Sequence, residues 1–366
     1  MTKSRLLILG KLPPPFYGPA VATEIILKSD LCNTFELVHF NTGINENLDT
    51  IGKKKIIKVF LAFRNFSRYI SLVKNVHPDL ILVPISQSTL GFLKDSFYIN
   101  FGAKSGSKVL LHLRGSNLLN WLKESSSLTR WYFKHILKNA SGAIVLGEKL
   151  RFLFNDYFPP EKIHVIPNGG NYSFPQVNKK ESEVRILCFS NLFPAKGIED
   201  VIDSASILKE MESFSFSFSI AGKWLSAGFR EYCNRQIALR NLPVVVYDEV
   251  SSALKKELFG EADIFVFTPR EPEGHPWVII EALAAGLPVI STDQGAITES
   301  VLDGINGFIV DKNNPQAIAR RIEFLIINKA IREKMGLESR KIYQENYTEE
   351  CMVSNLRKSF EKTLAL

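Results

Sequence analysis

Short β-branched or leucine-rich runs recur along the chain, separated by longer stretches in which apolar residues return every three or four positions. The runs Leu6 to Leu9, Leu37 to Phe40, Leu80 to Val83, Val109 to Leu113, Ala143 to Leu146 and His164 to Ile166 lack the polar alternation of a strand with one wet face. Such runs predict strands covered on both sides, as in a parallel sheet wrapped by helices. The series then restarts with Arg185 to Phe189, Ser215 to Ile220, Val244 to Tyr247, Ile264 to Phe267 and Val289 to Ser291. Between the two series lie the loop Pro167-Asn168-Gly169-Gly170-Asn171 and the polar segment from Gln176 to Glu183. The pattern therefore predicts two doubly wound, Rossmann-like α/β domains, residues 1–172 and 173–344, with a boundary near 172 to 183 and a cleft between the lobes.

Helical spacing is clearest in the second half. Ile198 to Lys209 opens after Lys196-Gly197, and Val278 to Ala285 ends at Gly286-Leu287-Pro288, a glycine-then-proline stop. Ala317 to Ile327 is a further helix, and helical signal runs from Ala330 to the end. The last part, about 345–366, is expected to pack back on the first domain.

Composition narrows the class. The 366 residues are 45% hydrophobic and 23% charged, enough apolar surface for a globular protein and too much for one core of roughly 150 residues. Cys32, Cys188, Cys233 and Cys351 are scattered with no CxxC pair, which argues against a zinc knot or disulfide framework and fits a reducing cytoplasm. The run Leu6-Leu7-Ile8-Leu9-Gly10 is too short for the core of a signal peptide, and no apolar stretch reaches membrane-spanning length. The expected location is cytoplasmic.

A formal charge of +7 admits nucleic acid, an anionic membrane or an anionic small substrate as partner. No nucleic-acid-binding signature accompanies it, so no nucleic-acid partner is expected. The charge is concentrated in residues 51–76, which hold Lys53, Lys54, Lys55, Lys58, Arg64, Arg68 and Lys74 and no Asp or Glu. Over 56–73 these cations are mixed with Ile56, Phe60, Phe63, Phe66, Tyr69 and Leu72, giving a mostly buried helix with a cationic stripe. A solvated basic face and a stripe that meets anionic lipid on the inner face of the cytoplasmic membrane are both compatible with that pattern.

The chemistry concentrates in Phe267 to Ile290. A strand ends near Thr268, a Gly/Pro loop carries Glu273, Gly274, His275 and Pro276, and a helix opens near Trp277 and Val278. Free N–H groups and the positive end of the helix dipole make such a helix start an anion seat, and ligands of open α/β sheets gather at the carboxyl ends of strands. Glu273 and Glu281 bracket this seat with seven residues between them, and each carboxylate can accept hydroxyl hydrogen bonds from a ribose or a sugar.

This segment resembles the Glu, seven residues, Glu motif of family 4 retaining glycosyltransferases, and Thr292 to Val310 resembles the stretch that follows it in that family. About forty contiguous residues agree in order. The resemblance implies a GT-B fold and transfer of a sugar from a nucleotide-sugar donor, UDP-linked before GDP-linked, to a glycan or lipid-linked acceptor in cell-surface polysaccharide biosynthesis. It implies that Glu273 contacts the donor sugar, that Glu281 contacts the ribose, and that the backbone from Gly274 to Val278, including His275, Pro276 and Trp277, contacts the sugar and phosphates. His275 and Pro276 stand where the common form has Phe and Gly, and a proline has no N–H to offer.

Phe189-Ser190-Asn191-Leu192-Phe193-Pro194-Ala195-Lys196-Gly197 is similar to the family's GRLxxxKG, which assigns Lys196 to the leaving diphosphate and puts Asn191 at the usual arginine position. Gly10 to Ala22 resembles the family's opening loop, with Gly18 retained and Pro19 at the second glycine. Leu111-His112-Leu113-Arg114 places Arg114 where the family often has a donor-side histidine; His112 and Glu148 are acceptor-side candidates. Front-face attack needs no protein nucleophile, and neither a metal nor another cofactor is expected. Asn191 and Pro19 leave open an alternative, a GT-B-like nucleotide-sugar-binding or scaffold subunit with little turnover.

Overall fold

The computed structural model describes residues 3–14, 17–43, 55–175, 183–211 and 214–365, with only the backbone for 55–61. Lys53 and Lys54 of the basic segment, Pro15 and Phe16 of the opening loop, and 176–182 of the polar segment lie outside the described residues. The chain divides into two compact units: Met1–Pro167 with Glu349–Leu366, and Asn168–Thr348.

Unit 1 is built on six strands, β1 (Arg5–Gly10), β2 (Glu36–Asn41), β3 (Leu80–Pro84), β4 (Lys108–His112), β5 (Gly142–Val145) and β6 (Ile163–Val165). They form one sheet in the order β2-β1-β3-β4-β5-β6, every pair parallel. Its helices are α1 (Gly18–Lys28), α2 (Leu31–Thr34), α3 (Lys55–Val76), α4 (Thr89–Lys104), α5 (Leu118–Glu124) and α6 (Ser127–Leu137). Leu6, Leu7, Leu80, Ile81, Val109 and Leu110 have no exposed surface, which explains why these strands read as plain apolar runs. On α3, Asn65, Tyr69 and Val73 are buried at four-residue spacing, while Arg64, Arg68 and Lys74 face outward.

Unit 2 repeats the plan with β7 (Val184–Phe189), β8 (Phe216–Ala221), β9 (Val244–Tyr247), β10 (Ile264–Phe267), β11 (Val289–Thr292) and β12 (Gly307–Val310) in the parallel order β12-β11-β10-β7-β8-β9. Helices α7 (Ile198–Glu210), α8 (Ala227–Leu239), α9 (Ser252–Glu261), α10 (Trp277–Ala284), α11 (Ile297–Ser300), α12 (Pro315–Ile327) and α13 (Lys329–Asn346) surround it. Strand β12 is absent from the apolar-run reading. It is a four-residue edge strand whose first residue, Gly307, lies so close to β11 that a Cβ would stand 1.9 Å from the Val289 carbonyl oxygen.

The helical signal running from Ala330 to the end is two helices. The break falls at Tyr347, whose hydroxyl donates to the Glu299 carbonyl at 2.9 Å, and α14 (Glu349–Ala365) then opens with two acidic residues in its first turn. Helix α14 packs within unit 1: Phe360 meets Phe35 edge-on at 6.0 Å and Arg357 pairs with Asp30 at 2.7 Å.

Candidate active site

Two loops at the carboxyl ends of β7 and β10 are joined backbone to backbone. Gly197, which ends the short turn Pro194–Lys196 and opens α7, has φ +73, a conformation that favours glycine. A Cβ at Gly197 would lie 2.0 Å from the Thr268 carbonyl oxygen, so nothing larger than a hydrogen fits between the loops. The Arg270 N–H donates to the Ala195 carbonyl at 2.9 Å. The Arg270 guanidinium grips the first turn of α7, donating to Asp200 at 2.8 and 2.7 Å and to Glu199 at 2.6 Å. This clasp puts the Lys196 ammonium against Oε1 of Glu273, and both side chains are less than one-fifth exposed. The Phe193 and Phe267 rings lie 5.4 and 5.5 Å from the same ammonium.

Helix α10 starts directly after Pro276, whose backbone is extended. The Glu273-Gly274 backbone is held from the other side, because the Ala296 N–H donates to the Gly274 carbonyl at 2.9 Å. Gly295, at φ +60, would place a Cβ 1.9 Å from the Glu273 carbonyl oxygen. Trp277 and Val278 are half-buried in the first turn.

Glu281, one helical turn further on, is 4% exposed. Lys255 of α9 donates to its Oε1 at 2.5 Å and sits 5.0 Å from the Phe189 ring. Oε2 of Glu281 is buried and has no hydrogen-bond partner among the described residues. Burial raises the pKa of this carboxyl and the neighbouring Lys255 pulls it back in part.

His275 has both ring nitrogens committed inside unit 2. Nδ1 accepts from the Asn168 N–H at 3.2 Å and Nε2 bonds the Ser300 hydroxyl at 2.6 Å, while Asn168 Nδ2 donates to the His275 carbonyl at 2.7 Å. The ring lies 5.0 Å from that of Tyr347. Its pKa is lowered to about 3 by burial, so the imidazole is neutral at physiological pH. Asn191 is exposed just beyond β7, and its carbonyl accepts from the Ser190 hydroxyl at 2.9 Å.

In unit 1, Gly18 is the first residue of α1 with Pro19 behind it. His112 ends β4, and Nη2 of Arg114 lies 3.3 Å from its Nδ1, as the shared face of alternate strand residues requires. Glu148 opens a 3₁₀ turn after β5 and pairs with Arg151 at 3.6 Å.

The structure thus brings Lys196 to Glu273, and His112 to Arg114. Sequence reasoning missed Lys255 and Arg270. Lys255 lies 26 positions before the carboxylate it meets and Arg270 lies 70 after Asp200, and no spacing rule links such pairs. A lone cation next to the quoted motif was the only available signal, and Arg270 carried it.

Residues 172–342 match the family described as glycosyl transferases group 1. The matched stretch lies wholly within unit 2. An uncharacterized glycosyltransferase of Methanocaldococcus jannaschii is 27% identical over 260 residues, covering 69% of this chain and 68% of the relative. A capsular polysaccharide biosynthesis glycosyltransferase of Staphylococcus aureus is 28% identical over 169 residues, 46% of this chain and 43% of the relative, so there the match spans less than half of the relative's length. The structure of HepE from Anabaena in complex with UDP and glucose is 16% identical, with a TM-score of 0.73 over 98% of this chain and 99% of that one. That likeness gives this chain the GT-B fold, two parallel six-stranded sheets.

Proposed function

We propose that this glycosyltransferase moves a sugar from a UDP-sugar to a glycan or lipid-linked acceptor in polysaccharide biosynthesis, with retention at the anomeric carbon. The observation that carries the reading is the partition of the two carboxylates around α10: Glu273 shares its charge with Lys196, while Glu281 is fixed by Lys255 through one oxygen and keeps the other as a buried, unmet acceptor. A buried acceptor without a donor costs free energy until one arrives, and a ribose hydroxyl supplies it. The complex of HepE with UDP and the role of the S. aureus relative in capsular polysaccharide biosynthesis support the same donor and pathway class.

In this reading the bond from the anomeric carbon to the β-phosphate oxygen breaks, and the acceptor hydroxyl attacks from the same face. Its proton passes to the departing phosphate oxygen, so no protein nucleophile takes part. Lys196 and the N–H groups at the head of α10 hold the charge that grows on the diphosphate, without a metal ion. Glu273, displaced from Lys196 by the phosphate, accepts from the donor sugar's hydroxyls. Among the described residues no helix is long and apolar enough to cross a membrane. The outward cations Arg64 and Arg68 of α3 suit an anionic lipid surface that presents the acceptor, a point that flotation with and without anionic liposomes tests.

A panel of UDP- and GDP-sugars, read by thermal shift and by nucleotide release with and without acceptor glycans, tests the function. A UDP-sugar should stabilise the protein and release UDP faster with acceptor, giving a product of unchanged anomeric configuration. Stabilisation without release would make the chain a nucleotide-sugar-binding subunit, and no affinity for any nucleotide sugar would end the proposal.

A further inference from the structure

At the carboxyl ends of β1, β3 and β4, unit 1 encloses a cavity of about 140 Å³. Lys11, Lys94, Asp95, His112 and Arg114 bring the charged and titratable groups to its wall. Two of them cancel: the Asp95 carboxylate, 2% exposed as a residue, accepts from the Ser86 N–H at 2.7 Å and pairs with Lys94 at 3.3 Å.

Arg114 has no such counter-charge among the described residues. Its contact is with Nδ1 of His112 at 3.3 Å, and among the described residues no carboxylate forms an ion pair with it. A guanidinium has five N–H groups and accepts nothing, so His112 must present the bare nitrogen to Arg114 and carry its proton on Nε2. That Nε2 is buried and unpartnered, on a residue that is 4% exposed. Burial and the adjacent guanidinium hold the His112 pKa well below its ordinary value, so the ring remains a neutral N–H donor. An unpaired cation, an orphan donor and the exposed ammonium of Lys11 therefore line one small cavity. The buried His112 donor and the Arg114 guanidinium are both satisfied by one kind of group, an anion rich in acceptor oxygens, which the exposed Lys11 also attracts.

We propose that this cavity is an oxyanion subsite that holds a phosphate or carboxylate group of the acceptor. The assignment moves Arg114 from the donor side, where the resemblance put it, to the acceptor side, and it rests on the reading of unit 2 as the donor-binding unit, since that unit supplies its own cation, Lys196, and its own helix terminus for the donor diphosphate. The subsite selects acceptors that carry an anionic substituent, a uronic acid or a phosphate linkage, close to the hydroxyl that is glycosylated.

Inorganic phosphate and D-glucuronate serve as probes, each titrated against chloride at constant ionic strength, with and without saturating UDP, in the full chain. The unfolding midpoint should rise with at least one probe whether UDP is present or not. Arg114→Gln should weaken that probe by about tenfold, the effect of losing a charge-assisted hydrogen bond, and Lys11→Gln by a smaller factor, with UDP affinity unchanged in both. Glu281→Ala should do the reverse, weakening UDP and sparing the probe. Which probe binds separates phosphate-bearing from carboxylate-bearing acceptors. Probes no better than chloride would overturn the proposal, as would displacement of the probe by UDP or loss of UDP affinity in Arg114→Gln, which would make the cavity part of the donor site. Should Arg114→Gln fail to fold, Lys11→Gln decides, and unchanged probe affinity there rejects the subsite. A chain that binds the probe but no nucleotide keeps the oxyanion site and removes the donor reading instead.

Discussion

Gly197 rests directly on Thr268, with 2.0 Å between the site of a would-be Cβ and the Thr268 carbonyl oxygen. This approach is what allows Lys196, one residue earlier, to meet Glu273, five residues after Thr268. The left-handed backbone at Gly197 adds a second requirement for glycine.

Gly197→Ala is therefore expected to act in two ways. Urea unfolding should show a loss of about 1 to 3 kcal/mol, the usual cost of a side chain in a strained backbone region with a steric clash. Donor turnover should fall further than that loss of stability explains, because the clasp that sets Lys196 against Glu273 opens. A variant with wild-type stability and turnover would show that the two loops move apart at no cost.

Lys196→Met should lower turnover by roughly 10² to 10³, the range seen when one preorganised donor to a developing oxyanion is removed. UDP affinity should change far less, because the ribose contacts proposed for Glu281 do not involve Lys196. Single-turnover rates and equilibrium titration separate the two effects. Equal losses in both would assign Lys196 to ground-state binding alone.

Arg270→Met should destabilise unit 2 by roughly 3 kcal/mol, the lower end of the range for removing one partner from a buried ion pair, because Asp200 is left with 4% side-chain exposure and no cation. Restoring Lys at 270 should recover part of the loss, since a point charge replaces the forked bonds to Asp200 and Glu199. Denaturant midpoints for the two variants check this, and a silent Arg270→Met would remove the clasp from the account of the site.

How far the sequence revealed this arrangement depends on which physical signal each part leaves. Parallel strands buried on both faces show up as apolar runs, so Leu80 to Val83 and Ile264 to Phe267 were visible directly. The edge strand Gly307–Val310 begins with a glycine and leaves only a weak run. Glu273 and Glu281 were visible because their spacing is local to one loop and one helix. The lysine that fixes Glu281 was not, since its position follows from how α9 packs on the sheet beside α10. His275 illustrates a different limit: a residue within a recognisable motif turned its ring inward to Asn168 and Ser300, a choice made by tertiary packing.

If Glu281 holds the donor ribose as proposed, the Lys255–Glu281 pair sets a pH limit on donor binding. In the proposed function Glu281 accepts ribose hydroxyls best when ionised, and its pKa lies above the usual carboxylate value because it is buried, with Lys255 opposing the rise. UDP affinity should thus be constant above that pKa and fall by up to about tenfold per unit as pH drops through it. Lys255→Met removes the opposing charge, so the acid limb of log Kd against pH should move to higher pH, while Glu281→Gln should flatten it. A limb that stays in place in Lys255→Met would show that Glu281 does not titrate in that window.

His275 couples acid to the stability of unit 2. Its imidazole is neutral in the fold, with a pKa of about 3, whereas an unfolded histidine titrates near 6.5. Between those values the unfolded chain binds the proton and the native one does not, so stability is complete above about pH 6.5 and declines as pH falls towards 3. The sign is that of a native state that resists protonation: charging the ring would break the acceptor bond at Nδ1 from the Asn168 N–H and place a cation where the residue is 3% exposed. His275→Gln keeps a neutral amide at the position and removes this titration, so its unfolding free energy should be lower at pH 7.5 yet vary less between about pH 6.5 and 4.5 than that of the unmodified chain. Urea titrations at three or four pH values measure the difference directly. Parallel pH profiles for the two proteins would mean that some other buried group carries the acid sensitivity.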